Sequence, residues 1–373
     1  MRAFIKPLTS KCFQAIILCC VLLTAFAVQA ATVTVTNSND NGPGSLRDAI
    51  NSASSGDIIV FDGSTNGNPI VLETDLTIAE DVTIIGNDTA NTIIDGDDSY
   101  QIKIENYTVT LKKLKMQNGS AGFGGGGIHA DGSTLTMDSC VVRNCVANFY
   151  GGGVYIEYTD ATITNSVVAG NTSTNSHGGG LYTDAGTLTM HQTVVHGNSA
   201  SRDGGAIYSY ETVLNLNHST FSNNDARDGG GLFIYYPDDA NDTINGCLIT
   251  GNTADEGGGI YMEDESYYLY IINTTISHNT ADYGGGIYNY DAEMYLRHVT
   301  IAYNHAGDEG GGIYNDEYIY LNSSLIAENT ADSGGPDIYG SDTQDSEGYN
   351  LLGDDSDASF NSSTGDIINP ADA

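Results

Sequence analysis

Two Arg-Asp dipeptides, Arg202-Asp203 and Arg227-Asp228, lie 25 residues apart, each directly before a glycine run. Cleaving a polysaccharide by elimination needs a basic Arg or Lys beside carboxylates that hold Ca²⁺, so these four residues are the candidates for catalysis. The alternative is a ladder of alternating surface charge, which is the preferred reading, and no residue is assigned a catalytic role. Neither Gly-His-Gly nor Arg-x-Lys, the motifs expected beside paired aspartates in pectin hydrolysis, occurs in the sequence. His191, His196, His278 and His298 fall in different slots and give no metal-ligand spacing. Asp255, Asp282, Asp308 and Asp332 precede four successive glycine motifs, with Glu256 and Glu309 alongside. Carboxylates stacked ~4.8 Å apart repel by about 1 kcal/mol even in water. Such a column needs splaying, salt or a bridging cation, so these four aspartates are the metal candidates and Ca²⁺ the ion that would suit them. No cofactor is required.

The elements that position these residues are repeats. A glycine motif followed by an apolar-aromatic pair begins at Gly125, Gly151, Gly178, Gly204, Gly229, Gly257, Gly284 and Gly310, and a degenerate copy at Gly334. A steady period of this length means stacked structural units. Within each unit, short runs such as GGGIY, LTM and SVVAGN alternate and are rich in Thr, Val, Ile and Tyr, which predicts strands. Several short strands per rung with no crossover helix predict an all-β, single-stranded parallel β-helix of about 26 residues per rung, right-handed, over residues 70–340.

Stacking predicts columns. Asn171, Asn198, Asn224, Asn252, Asn279, Asn304 and Asn329 align, with Cys145 in the first slot. They are expected at corners in left-handed geometry, with amides bonding from rung to rung. Three residues earlier the slot is always apolar (Val142 to Ile326), and five earlier it is small (Cys140 to Ser324), so both face inward. Glycine provides the sharp turn into each next strand. A phosphate cradle would need one such loop before a helix with a basic residue nearby, and that pattern is lacking. Tyr155, Tyr182, Tyr208, Tyr261, Tyr288 and Tyr314, with Phe233 among them, form an aromatic column. Their neighbours point inward, so these rings are expected to face outward as a surface for glycans or proteins.

The ends differ from the repeats. Arg2, Lys6 and Lys11, then IILCCVLLTAFAV and Val28-Gln29-Ala30, have the layout of a secretory signal peptide over 1–30. Its removal leaves nine basic residues against 48 acidic ones, a formal charge of −39. Nucleic acid and anionic membranes are poor partners for that surface. Cys140, Cys145 and Cys247 remain; Cys140 and Cys247 share a column but stand four rungs apart, roughly 19 Å, so all three are expected free. Residues 31–69 read as a cap with a short helix begun by Ser45. After Tyr339 the period fails, and 341–373 reads as a polar acidic segment with no membrane stretch.

The start TVTNSNDNGPGSLRDAI resembles the N-terminal cap of secreted right-handed parallel β-helix proteins with the CSLREA-type motif, with Gly44 in place of Cys and Asp48 in place of Glu. The GGGIY…N-x-A units resemble polymorphic outer-membrane-protein repeats, and EGYNLLGD (347–354) resembles the start of a choice-of-anchor segment. The resemblance implies a secreted or cell-surface β-helix, adhesin-like or structural, which in that group runs on beyond a stretch like NPADA; the stop at Ala373 is expected to reflect a truncated gene with a cut anchor region, a fragment, or a freely secreted form. Glycans or surface proteins are the expected partners, and oligomeric state is left open. The alternative is a carbohydrate-active β-helix, either lyase-like or a glycan-binding module.

Overall fold

The computed structural model describes residues 30–235, 242–263, 268–354 and 356–368. The expected signal peptide lies, except for Ala30, outside the described residues, as do residues 369–373 of the acidic segment. The chain coils into a parallel β-solenoid of about 12 turns with about 26 residues per rung. One rung runs through strands Val154–Thr164, Val167–Ala169 and Thr172–Ser173 before reaching the glycines at Gly178. Each pairs in parallel with its counterpart one rung on: Val154 with Leu181, Val167 with Val194, Thr172 with Ser199.

Left-handed residues make the corners of that rung: Tyr158 (φ 46°) bends the long strand, then Asn165 (51°), Gly170 (63°) and Gly178 (70°). The ladder asparagines are not among them. The corner falls one residue earlier, at Asn144, Gly170, Gly197 and Asn223, because the ladder residue itself must aim inward. Asn252 shows why: its N–H and Nδ2 both donate to Asn279 Oδ1, and Nδ2 also donates to the Phe221 carbonyl. Fully buried amides satisfied from rung to rung leave no orphaned polar atom to oppose stacking.

The apolar slot continues from Val142 through Ile326 to Leu352, in register and almost completely buried. The small slot is small and mostly polar because its side chain accepts from the preceding rung: Ser166 Oγ takes the Cys140 N–H at 3.0 Å, and Thr274 Oγ1 takes the Cys247 N–H at 3.2 Å. All three cysteines are buried and free.

The N-terminal end is closed by the helix α1 (Leu46–Ser52). Ser45 Oγ accepts from the Asp48 N–H, and Asp48 Oδ2 accepts from the Gly44 N–H, a reciprocal cap on the first turn. Leu46, Ala49 and Ile50 cover the first rung's core, and Arg47 pairs with Asp40 at 2.7 Å while donating to the carbonyls of Thr74 and Asp75. At the other end the coil outlasts the sequence period. Ile338–Gly348 pairs onto the preceding rung, Asp357–Asn361 pairs onto it in turn, and Ile367–Ile368 joins Leu351–Leu352. Irregular registers at Gly340/Thr343 and Leu321/Asn322 disguise the repeat there. Among the described residues, no helix is long and apolar enough to cross a membrane.

Candidate functional site

The aromatic column occupies the outer face of the longest sheet, where alternation places it, yet it is not at the surface. Tyr155, Tyr182, Tyr208, Tyr261 and Tyr288 are only 3% to 8% exposed, and Tyr314 is half-buried. The expected outward-facing tyrosine surface is therefore corrected to a second, aromatic core. The cause is the stacking itself. Neighbouring rings from Tyr182 to Tyr314 lie nearly parallel with centroids 4.6 to 5.1 Å apart, so their faces are spent on one another. Each contact contributes about 0.5–1.5 kcal/mol beyond area burial. Burial, chiefly, pushes the phenols of Tyr155 to Tyr288 well above their usual range.

Charged columns run along both flanks. Two residues beyond the aromatic slot, Glu105, Asp131, Glu157 and Asp184 stand side by side on four successive rungs. Glu157 adds to burial in pushing the Tyr155 phenol up. Burial, then Glu157 and Glu211, push Asp184 up to about 6. This ladder was missed in the sequence, although its signal is there: an acid two residues after the aromatic in GGGIHAD, GGGVYIE and GGGLYTD. On the opposite flank, the residue before each first glycine forms a column in which Asp203, Asp228, Glu256 and Tyr283 pair in sequence.

A family model for the right-handed β-helix region matches residues 107–254 and 152–331. The chain belongs to this family. No curated protein matches it. Among solved structures it is similar to one titled "Crystal structure of Agl-KA catalytic domain", with 14% identity and a TM-score of 0.37, covering 86% of this chain and 63% of that one.

In this β-helix the two Arg-Asp pairs do not behave alike. Arg202 and Arg227 are backbone neighbours in one column, but only Arg227 reaches across the rungs. Its Nη2 lies 2.8 Å from Asp203 Oδ1 and 2.8 Å from Asp228 Oδ2. Burial works to lower the Arg227 pKa, but the two carboxylates outweigh it and raise it. Burial also raises Asp228, more than Arg227 draws it down. His177 completes the group, with Nδ1 2.8 Å from the nearly buried Asp203. His177 went unnoticed because histidine was sought at metal spacings; its position directly before Gly178, where Asp203 and Asp228 precede their glycines, was the available clue.

The aspartate column also changes. Asp255, Asp282 and Asp308 do align on adjacent rungs, the N–H of Asp282 donating to the Asp255 carbonyl and that of Ser333 to the Asp308 carbonyl. Ser333, and not Asp332, thus occupies the fourth place. The last repeat is in register from Gly335, one residue later than GGPDIY suggests, because Ile338 and Tyr339 pair with Ile313 and Tyr314. The Asp308 carboxylate pushes the Tyr283 phenol up. Among the described residues, no group of three or more His, Cys, Asp or Glu side chains is arranged to hold a metal ion.

Exposed aromatics lie elsewhere: singly at Tyr158, Tyr268, Tyr290, Tyr303, Tyr318 and Tyr349, and as a phenylalanine pair near the start of the column. Phe123 is 52% and Phe149 39% exposed, with their centroids 6.4 Å apart. Phe123 also meets Tyr150 and Tyr155 edge-on at 5.3 and 5.8 Å, so the pair forms a shelf where the aromatic column begins.

Proposed function

We propose that this β-helix is a non-enzymatic, secreted or surface-displayed scaffold, adhesin-like in that its aromatic and acidic outer face contacts glycans. The observation that carries this is the use to which the candidate catalytic groups are put. Arg227 spans Asp203 and Asp228, and Asp203 also faces His177, so the groups with acid–base potential cross-link neighbouring rungs. An arginine held by two carboxylates remains a cation and is a poor base. The leader-like first 30 residues support secretion, and the formal charge of −36 favours neutral or cationic partners over anionic ones.

The test is incubation of the protein with a panel of acidic and neutral polysaccharides, reading unsaturated products by ultraviolet absorbance and new reducing ends chemically. No turnover, with retention on at least one glycan column, is expected. Turnover that disappears in Arg227→Ala or Asp228→Asn would establish the alternative, a carbohydrate-active enzyme. Expression with and without residues 1–30, followed by fractionation, tests export separately.

A further inference from the structure

We infer that the outer face of the sheet running from Val141–Arg143 to Leu351–Leu352 is the surface through which two copies of this chain pair side by side, with their coils parallel. It is a different face from the aromatic and acidic one read above as a glycan contact.

The first observation is a gap in the charge. None of the nine strands in that series carries an acid. The segments that build this side of the coil with its corners are 139–148, 164–176, 191–202, 217–224, 245–254, 272–281, 297–307 and 322–331. They hold a single acid, Glu328, in a chain that has 48. The other faces carry the Glu105–Asp184 ladder and the acidic columns beside the glycines. With a formal charge of −36 on each copy, association through those faces is opposed. This face lets two copies approach with their acids turned away.

The second observation is relief. Each three-residue strand turns its first and third residues outward. At the first position Val141, Val167, Val194, Leu248, Leu325 and Leu351 stand in one register with threonines between them. Val194, Leu248 and Leu325 are 36% to 38% exposed, so they form an apolar ridge. The third position is small in Ala169, Ser222, Thr250, Ala302 and Ala327, and recessed enough that Ala302 is only 7% exposed. A two-fold axis parallel to the coil, lying between two such faces, exchanges left for right. Each copy's ridge then seats on the partner's small column, rung over matching rung, at the ~10 Å spacing of facing sheets. A two-fold across the coil would set ridge against ridge.

Size fixes the expected strength. Nine rungs at ~4.8 Å span roughly 40 Å, and a strip about 13 Å wide buries about 1,000 Å² over both copies. That is the lower edge of a specific interface, so a reversible dimer in the micromolar range is expected. Added salt screens the mutual repulsion and leaves the apolar contact, so pairing should tighten as salt rises, opposite to an ionic contact.

Sedimentation equilibrium of the full chain across the micromolar range, at low and high salt, tests this. A monomer–dimer equilibrium that tightens with salt is expected. Leu248→Asp with Leu325→Asp should weaken it about tenfold or more while the melting transition stays cooperative, because both side chains point outward. Tyr158→Asp, at a 67% exposed position on another face, should leave it unchanged. Orientation is read by amine cross-linking of mixed unlabelled and isotope-labelled copies. Beyond residue 30 the lysines are Lys103, Lys112, Lys113 and Lys115, all towards the cap end. Parallel coils bring the two sets together and give cross-links of hybrid mass, whereas antiparallel coils hold them more than about 40 Å apart. A monomer at every concentration, a dimer indifferent to the aspartate pair, or a dimer without hybrid cross-links would each overturn the inference. A monomer whose aspartate-pair variant loses glycan retention would assign this face to glycan and overturn it as well.

Discussion

The backbone N–H and the side-chain amide of Asn252 both donate to a single oxygen, Oδ1 of Asn279, each at 3.0 Å. Asn224 does the same to Asn252, so one side chain serves as donor and acceptor for two neighbours. Asn252→Ala would strip the acceptor from two buried donors and the donor from the Phe221 carbonyl. The expected cost is about 2–4 kcal/mol in denaturant unfolding, since each stranded group costs about 1–3. Because rungs interact mainly with their neighbours, hydrogen exchange should rise first in residues 220–285 and little near the cap.

Two glycines should answer the same substitution differently. A Cβ on Gly259 would stand 2.4 Å from the Gly286 carbonyl oxygen and 3.1 Å from Asn279 Nδ2. Gly259→Ala therefore forces neighbouring rungs apart and should cost about 3 kcal/mol or more. Gly197 has positive φ but open space, so Gly197→Ala should cost only about 1 kcal/mol. Melting temperatures in the order wild type, Gly197→Ala, Gly259→Ala check this; the reverse order would discredit the packing argument.

Arg227→Ala leaves Asp203 and Asp228 facing each other without their shared cation. Arg227 is half exposed, so solvent softens the loss to about 1–3 kcal/mol at neutral pH. Asp228, already raised by burial, then loses the cation that draws it down, so stability lost at pH 7 should be partly regained as pH falls and that carboxylate takes up a proton. A pH series of denaturation midpoints for variant and wild type measures that difference.

Asp184 supplies a second pH dependence. Its native pKa of about 6 lies above the ordinary 3.8, so the folded chain holds a proton that the unfolded chain releases between those values. Its stabilising contribution is complete below about pH 4 and is lost as pH rises through 6. Asp184→Asn should flatten that decline, by on the order of 1 kcal/mol or less after solvent screening. An unchanged slope would mean that other groups carry it.

Burial pushes the Cys140 and Cys247 thiols up to about 11 and Cys145 up to about 12. None should react with a thiol reagent at pH 8 in the native protein, and all three should react once unfolded. Mass spectrometry after alkylation reads this directly.

The inward slots were legible in the sequence because a fixed period superimposes residues that touch: Val142 under Val168, Asn171 under Asn198. The tyrosines show where that logic stops. Alternation correctly turned Tyr155 and its relatives away from the inner core, but exposure depends on what covers a residue, and these rings cover one another. Asp332 failed as a column member through a one-residue slip that only the pairing of Ile338 with Ile313 reveals. The Glu105–Asp184 ladder is written in the sequence as an acid two residues after the aromatic slot, downstream of the glycines and apart from the Arg-Asp pairs. Contact between Arg227 and Asp203, 24 residues back, depends on side-chain reach that the period does not encode.

The asparagine ladder also has a sign. Each residue sends its backbone N–H and one side-chain N–H forward, from Asn171 to Asn198 and on to Asn304 and Asn329, against one side-chain N–H sent back to the preceding rung, so the bond dipoles have a net forward direction. The final donor, Asn329, delivers its N–H and Nδ2 to a carboxylate, Asp337 Oδ1. An anion thus terminates the positive pole of a polarised column, much as an acid settles at the start of an α-helix. Assembly of the coil then has an arrow: a rung added after Asn171 finds a donor waiting, whereas one added after Asp337 meets an acceptor already taken.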